Sequence, residues 1–178
     1  MRVVIYDATD TSKNPELSDA WRAGARLYRA LGRFDRILGA KSWAHAFSWL
    51  RGLGKVDEVQ YWGHGKPGRI YLNLVPLEPL DLEGVDVRDI FWFRTCASFA
   101  GVAGHQLAQQ LTSALGCHVA AHTYNIGLLQ SGLHTLAPTE RPYWSVKDGL
   151  GKNGKALWSA PWSPRTVHCL ESHIPRGW

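Results

Sequence analysis

The chain has 178 residues, 45% of them apolar and 20% charged, with a net charge of +5. That length suits one domain, taken as residues 1–178, large enough to bury a core without disulfides or metals, and the composition excludes the disordered class. Three widely spaced cysteines, Cys96, Cys117 and Cys169, exclude a disulfide framework and a zinc ribbon, and no window approaches a membrane span.

The apolar run before Asp7 is too short for a signal-peptide core, so a cytoplasmic protein with no membrane partner is expected. Val3-Val4-Ile5-Tyr6 is a β-prone run that ends in the polar segment Asp7 to Ser12, as a buried strand feeding a loop would. Asn14-Pro15 suits an N-cap followed by the first helical residue. Leu17, Ala20, Trp21, Gly24, Leu27, Tyr28 and Leu31 then recur at helical spacing as far as Gly32. Arg22, Arg26, Arg29 and Arg33 repeat opposite that apolar stripe. Clustered cations attract phosphate, but this spacing reads as a solvated helix face, and no nucleic-acid partner is expected.

Phe34 to Leu38 predicts a second strand, and Ser42 caps a helix with Trp43, Phe47 and Leu50 on one face, ending near Gly52 or Gly54. Glu58 to Trp62 predicts a third strand running into Gly63-His64-Gly65. The turn Lys66-Pro67-Gly68 precedes a β-prone Arg69 to Leu72. Leu74 to Val87 reads as an irregular connection, and Ile90-Phe91-Trp92-Phe93 as a fully apolar fourth strand ending at Thr95-Cys96. A helix carrying Leu107, Leu111 and Leu115 stops at Gly116, and a fifth strand starts at Val119. Residues 125–164 read as loops, and Arg165 to Leu170 recovers strand character.

Strands separated by helical crossovers predict an α/β three-layer sandwich with a mostly parallel sheet. Ligands in such sheets bind beyond the carboxyl ends of the strands, where Gly63-His64-Gly65 and Thr95-Cys96 both fall. Histidine is a base near neutral pH and can hold a neighbouring cysteine as the nucleophilic thiolate. His64 and Cys96 are therefore the candidate catalytic pair. The amides of Gly65 and Cys96 are candidates for an oxyanion hole.

The runs Val59-Gln60-Tyr61-Trp62-Gly63-His64-Gly65 and Ile90-Phe91-Trp92-Phe93-Arg94-Thr95-Cys96 resemble the signature of the caspase-like cysteine peptidases, the clan of metacaspases, legumain, gingipain, separase and bacterial CHAT domains. The resemblance covers roughly residues 1–124. It implies the caspase-hemoglobinase fold, a peptide or protein substrate, a thioester route, His64 as general base or acid, and Cys96 as nucleophile. It also implies a substrate pocket between the ends of strands one and four. There Asp7 and Arg94 are the candidate substrate-binding residues, their charges expected to offset each other in a polar pocket. Cys96-Ala97-Ser98-Phe99-Ala100-Gly101 departs from the Ser-Gly that metacaspases and separases place soon after the nucleophile.

Two alternatives stand beside this reading. Cys96 can be a small buried residue at a strand end, and the domain can be a catalytically silent binding or signalling module. No GxSxG or GxCxG occurs for an α/β-hydrolase, and position 102 is Val where a cysteine phosphatase needs Arg. His118 and His122 would lie about 13 Å apart along a strand, too far to share an ion. His168-Cys169 with His173 has no fourth ligand at sensible spacing. No metal or cofactor is expected.

Overall fold

A computed structural model of the chain describes residues 1–10 and 17–178. The elements run β1 (Arg2–Asp7), α1 (Leu17–Ala30), β2 (Arg36–Ala40), α2 (Trp43–Leu53), β3 (Val56–Trp62), β4 (His64–Lys66), β5 (Arg69–Leu72) and β6 (Val75–Pro76). After a 3-10 turn at Pro79–Leu82 come β7 (Val87–Arg94), α3 (Gly101–Leu115), β8 (His118–His122), β9 (Leu129–Gln130), β10 (Leu133–Leu136) and β11 (Val167–His168).

The central sheet has the order β10-β8-β7-β3-β1-β2, with every neighbouring pair parallel except β10 against β8. Alternation along the strands makes two buried faces. Val3, Ile5, Val59, Tyr61, Phe91 and Phe93 pack with Trp43, Phe47 and Leu50 of α2 and Leu107 and Leu111 of α3. Val4, Tyr6 and Trp62 pack on the other face with Ala25 and Tyr28 of α1. Further along that face, Trp92 and Ala120 meet Leu133, Val167 and the C-terminal Ile174 and Trp178. The result is a mixed, mostly parallel α/β sheet covered on both faces, compatible with a three-layer sandwich.

Local chemistry accounts for most boundaries. Ser42 Oγ accepts the His45 N–H at 3.1 Å and starts α2, and α3 closes on Gly116 in the left-handed conformation. The proposed Asn14-Pro15 cap lies outside the described residues. The second strand forms two residues later than expected, at Arg36–Ala40, because Phe34 turns inward and stacks on Tyr28 with ring centroids 5.7 Å apart. The inner face of α1 is also rotated from the expected stripe. Ala25 and Tyr28 are buried, whereas Leu27 and Leu31 are 47% and 58% exposed. The small residues Gly24 and Ala25 let the helix approach Trp62, and this contact decides the face.

Residues 125–164 are not all loop. β10 adds an antiparallel edge strand to β8, with Leu133 opposite His122. Its four residues are too few for a visible alternation, and its place depends on a partner far from the turn that precedes it. Of Arg165 to Leu170, only Val167–His168 is strand, paired with β9. The residues after it run as a strap whose carbonyls are taken by side chains. Arg94 donates to the carbonyls of Cys169 and Glu171, Arg33 to that of Leu170, and Arg2 and Gln60 to that of Ser172.

Candidate active site

β1 has β2 on one side and β3 on the other, so the chain reverses its direction of travel at β1. The carboxyl ends of β1, β3 and β7 are level there, with Tyr6 opposite Trp62 and Trp62 opposite Arg94. Ligands of open α/β sheets bind at such a switch point.

β3 gives way to Gly63 and then to β4, which starts at His64 and forms a hairpin with β5. The main chain of β4 presses on the end of β7. A Cβ on Gly65 would sit 2.7 Å from the Cys96 carbonyl oxygen and 2.8 Å from Thr95 Cβ, so any larger residue would push the two apart. This contact seats His64 beside the Thr95-Cys96 segment, and both His64 and Cys96 line one cavity of about 540 Å³.

The thiol sits on a constrained turn. Ala97 has φ 49°, uncommon for a residue with a side chain. It is held there by its N–H to the Tyr124 carbonyl at 2.8 Å, by the Thr95–Ser98 hydroxyl pair at 2.8 Å, and by the Phe99 N–H on the His122 carbonyl at 3.0 Å. Cys96 is half-buried, and its Sγ accepts the Ile126 N–H at 3.4 Å. The Ile126 carbonyl oxygen lies 3.8 Å from the same sulfur, as an acceptor for the thiol proton.

His64 is 39% exposed at its side chain and bonds through Nε2 to Asp10 Oδ2 at 2.8 Å, the Asp10 carboxyl being only 7% exposed. A carboxylate accepts, so Nε2 is the donor in this bond. Trp21 of α1 meets the imidazole edge-on at 5.4 Å. Asp10 escaped the sequence reading. Its one signal is a second acid in the polar segment after the first strand, and nothing in that segment says which acid turns toward His64.

Arg94 lines the same cavity and is 4% exposed. Its Nε donates to Gln130 Oε1 at 2.9 Å, Nη1 to the Glu171 carbonyl at 3.0 Å and Gln60 Oε1 at 3.4 Å, and Nη2 to the Cys169 carbonyl at 2.9 Å. The guanidinium also lies over the rings of Trp92 and Trp62, at 4.5 and 5.5 Å. Burial pulls its pKa below the ordinary arginine value. Asp7 is 1% exposed and faces elsewhere. It accepts from Thr9 N and Oγ1 at 2.8 and 2.6 Å and from Asn73 N at 3.0 Å, tying the β5–β6 hairpin to the end of β1. Asp7 and Arg94 thus keep separate partners, and Arg94 is the one of the two that lines the cavity.

The other two cysteines differ. Cys117 is buried, which pushes its thiol up to about 12. Cys169 is half-buried and lines the cavity. Within β8, His118 is exposed while His122 is fully buried. His122 holds Ser131 O at 3.1 Å through Nδ1 and accepts the Trp92 indole N–H at 3.3 Å through Nε2. Among the described residues no group of three or more His, Cys, Asp and Glu is arranged to hold a metal ion, and no helix is long and apolar enough to cross a membrane. A second depression, of about 640 Å³, lies by Met1, Asp35 and Trp49 at the amino ends of β1 and β2, and neither His64 nor Cys96 reaches it.

No protein-family model, no curated protein and no solved structure matches the chain.

Proposed function

We propose that the chain is a caspase-like cysteine peptidase in which Cys96 is the nucleophile, His64 the proton-transfer group and Asp10 the residue that orients His64. The observation that carries this reading is the shared cavity of His64 and Cys96 at the switch point, with the imidazole held by a buried carboxylate and the sulfur facing a main-chain donor. The β-α-β-α opening and the mostly parallel sheet agree with the fold the resemblance implies.

The chemistry follows from those positions. The Cys96 thiolate attacks the peptide carbonyl carbon, and the electron pair moves to the oxygen, which the amides of Gly65 and Cys96 would receive. Gly65 faces Ile70 one step from the Lys66–Arg69 pair that closes the β4–β5 turn. Alternation in an antiparallel ladder therefore turns its N–H away from β5. Collapse of the intermediate breaks the C–N bond, His64 gives the leaving amine the proton it took from the Cys96 thiol, and a thioester remains on Cys96. Water deprotonated by His64 then releases the acid and restores the thiol.

Peptide-library digestion read by mass spectrometry tests this directly. Cys96→Ala and His64→Ala should each fold and each lose cleavage by at least about 10³-fold. Asp10→Asn should lower turnover and displace its pH profile while leaving peptide affinity in place. Wild-type protein that cleaves nothing, with Cys96 no more reactive to iodoacetamide than Cys117, would refute the peptidase and leave the silent binding module.

A further inference from the structure

The cavity beside His64 and Cys96 has a definite chemical character. Trp21, Tyr28 and Trp62 supply aromatic walls, and Ile126, Leu128 and Leu170 close the opposite side. Gly24 widens it: a Cβ there would already stand 3.1 Å from the Trp62 ring. Among the described residues no carboxylate lines it. The charged member, Arg94, directs its guanidinium at Gln130, Gln60 and the carbonyls of Cys169 and Glu171.

We propose that this cavity takes a large apolar side chain, aromatic or leucine-like, on the residue whose carbonyl Cys96 attacks. The inference rests on the peptidase reading and narrows its substrate class. A Lys or Arg side chain entering here would meet the buried Arg94 cation, and among the described lining residues there is no acid to pair with it. An Asp or Glu side chain would have to draw the guanidinium off two main-chain carbonyls and two glutamines that already hold it. An aromatic ring asks nothing of Arg94. It buries about 150–250 Å² against walls of its own kind and can stack on Trp62 or Trp21. A volume of about 540 Å³ lies within the usual range for such sites. Leu128 and Leu170 stand 73% and 52% exposed at the rim, an apolar margin continuous with the apolar wall.

The test is a set of otherwise identical peptidyl acyloxymethyl ketones carrying Phe, Leu, Ala, Asp or Arg next to the reactive carbon. Alkylation at Cys96 is followed by intact mass and peptide mapping. Iodoacetamide, which carries no side chain, reports the thiol itself. The Phe and Leu reagents should alkylate Cys96 at least about tenfold faster than the Ala, Asp and Arg reagents, the span expected of a hydrophobic pocket. Leu128→Arg, changed at an exposed position, should move the Phe-to-Asp rate ratio toward Asp, and Gly24→Val should slow Phe more than Ala. Asp or Arg reacting fastest, or all five reacting alike, while iodoacetamide still favours Cys96 over Cys117, would overturn the pocket assignment alone. Cys96 unreactive to every reagent, iodoacetamide included, would overturn the peptidase reading and this inference together.

Discussion

His122 predicts a specific loss of stability in mild acid. Its imidazole is fully buried between Trp92 and Ser131, and burial, with Arg94 and His134 nearby, brings its pKa from 6.5 down to about 3. The unfolded chain therefore takes up a proton near pH 6.5 that the folded chain refuses until near pH 3. Between those values unfolding is coupled to proton uptake, so stability is complete above the upper value and falls as pH approaches the lower one. Each pH unit in that window removes about 1.4 kcal/mol, so about 3 kcal/mol is gone at about pH 4.5. That is a large share of the roughly 5–15 kcal/mol that holds an ordinary domain together. Urea unfolding from about pH 7 to 4.5 measures it, with His122→Gln as the control that keeps an acceptor for the Trp92 indole but cannot titrate. The wild type should lose about 3 kcal/mol more than the variant over that range. Equal pH slopes, or an NMR titration of His122 near 6.5, would refute the reasoning.

Arg94→Met should cost about 1–3 kcal/mol or more in chemical denaturation, because it strips charged donors from the Cys169 and Glu171 carbonyls and from Gln130. It should also speed proteolysis after Val167 more than elsewhere; a loss under about 1 kcal/mol would mean that the strap is held by its other contacts. Asp148 is held below the usual carboxylate range, burial opposing and the bonds from His134 and Thr123 prevailing. With the folded value depressed, its contribution is present above the unfolded pKa and disappears as pH falls through the folded one. Asp148→Asn should therefore flatten the stability profile below about pH 4 and leave the His122 limb untouched; an unchanged acid limb would contradict this.

Much of the layered fold was legible because its signals are local. Val3-Val4-Ile5 and Ile90-Phe91-Trp92-Phe93 are apolar on both faces, as strands between two helical layers must be, and Ser42 and Gly116 bound their helices by capping geometry. What failed depends on distant partners. Leu133–Leu136 becomes a strand only because β8 offers an unpaired edge. Leu27 and Leu31 face outward because Gly24, one turn earlier, brings the other side of α1 against Trp62.

The candidate site divides along the same line. His64 and Cys96 were readable because each stands just beyond a strand end, and parallel strands in register carry their ends to one edge whatever the loops do. Asp7 and Asp10 share one polar segment that starts at the last residue of β1, and their roles differ only through what the fold brings to each. The Asn73 amide from the β5–β6 hairpin meets Asp7, and the His64 imidazole meets Asp10. The expectation that Arg94 and Asp7 offset each other in one polar pocket depends likewise on what the fold brings to each. Here the strap after Val167 folds back over Arg94 and fills its hydrogen bonds with main-chain carbonyls. A buried guanidinium so occupied is a structural tie whose field still reaches the cavity.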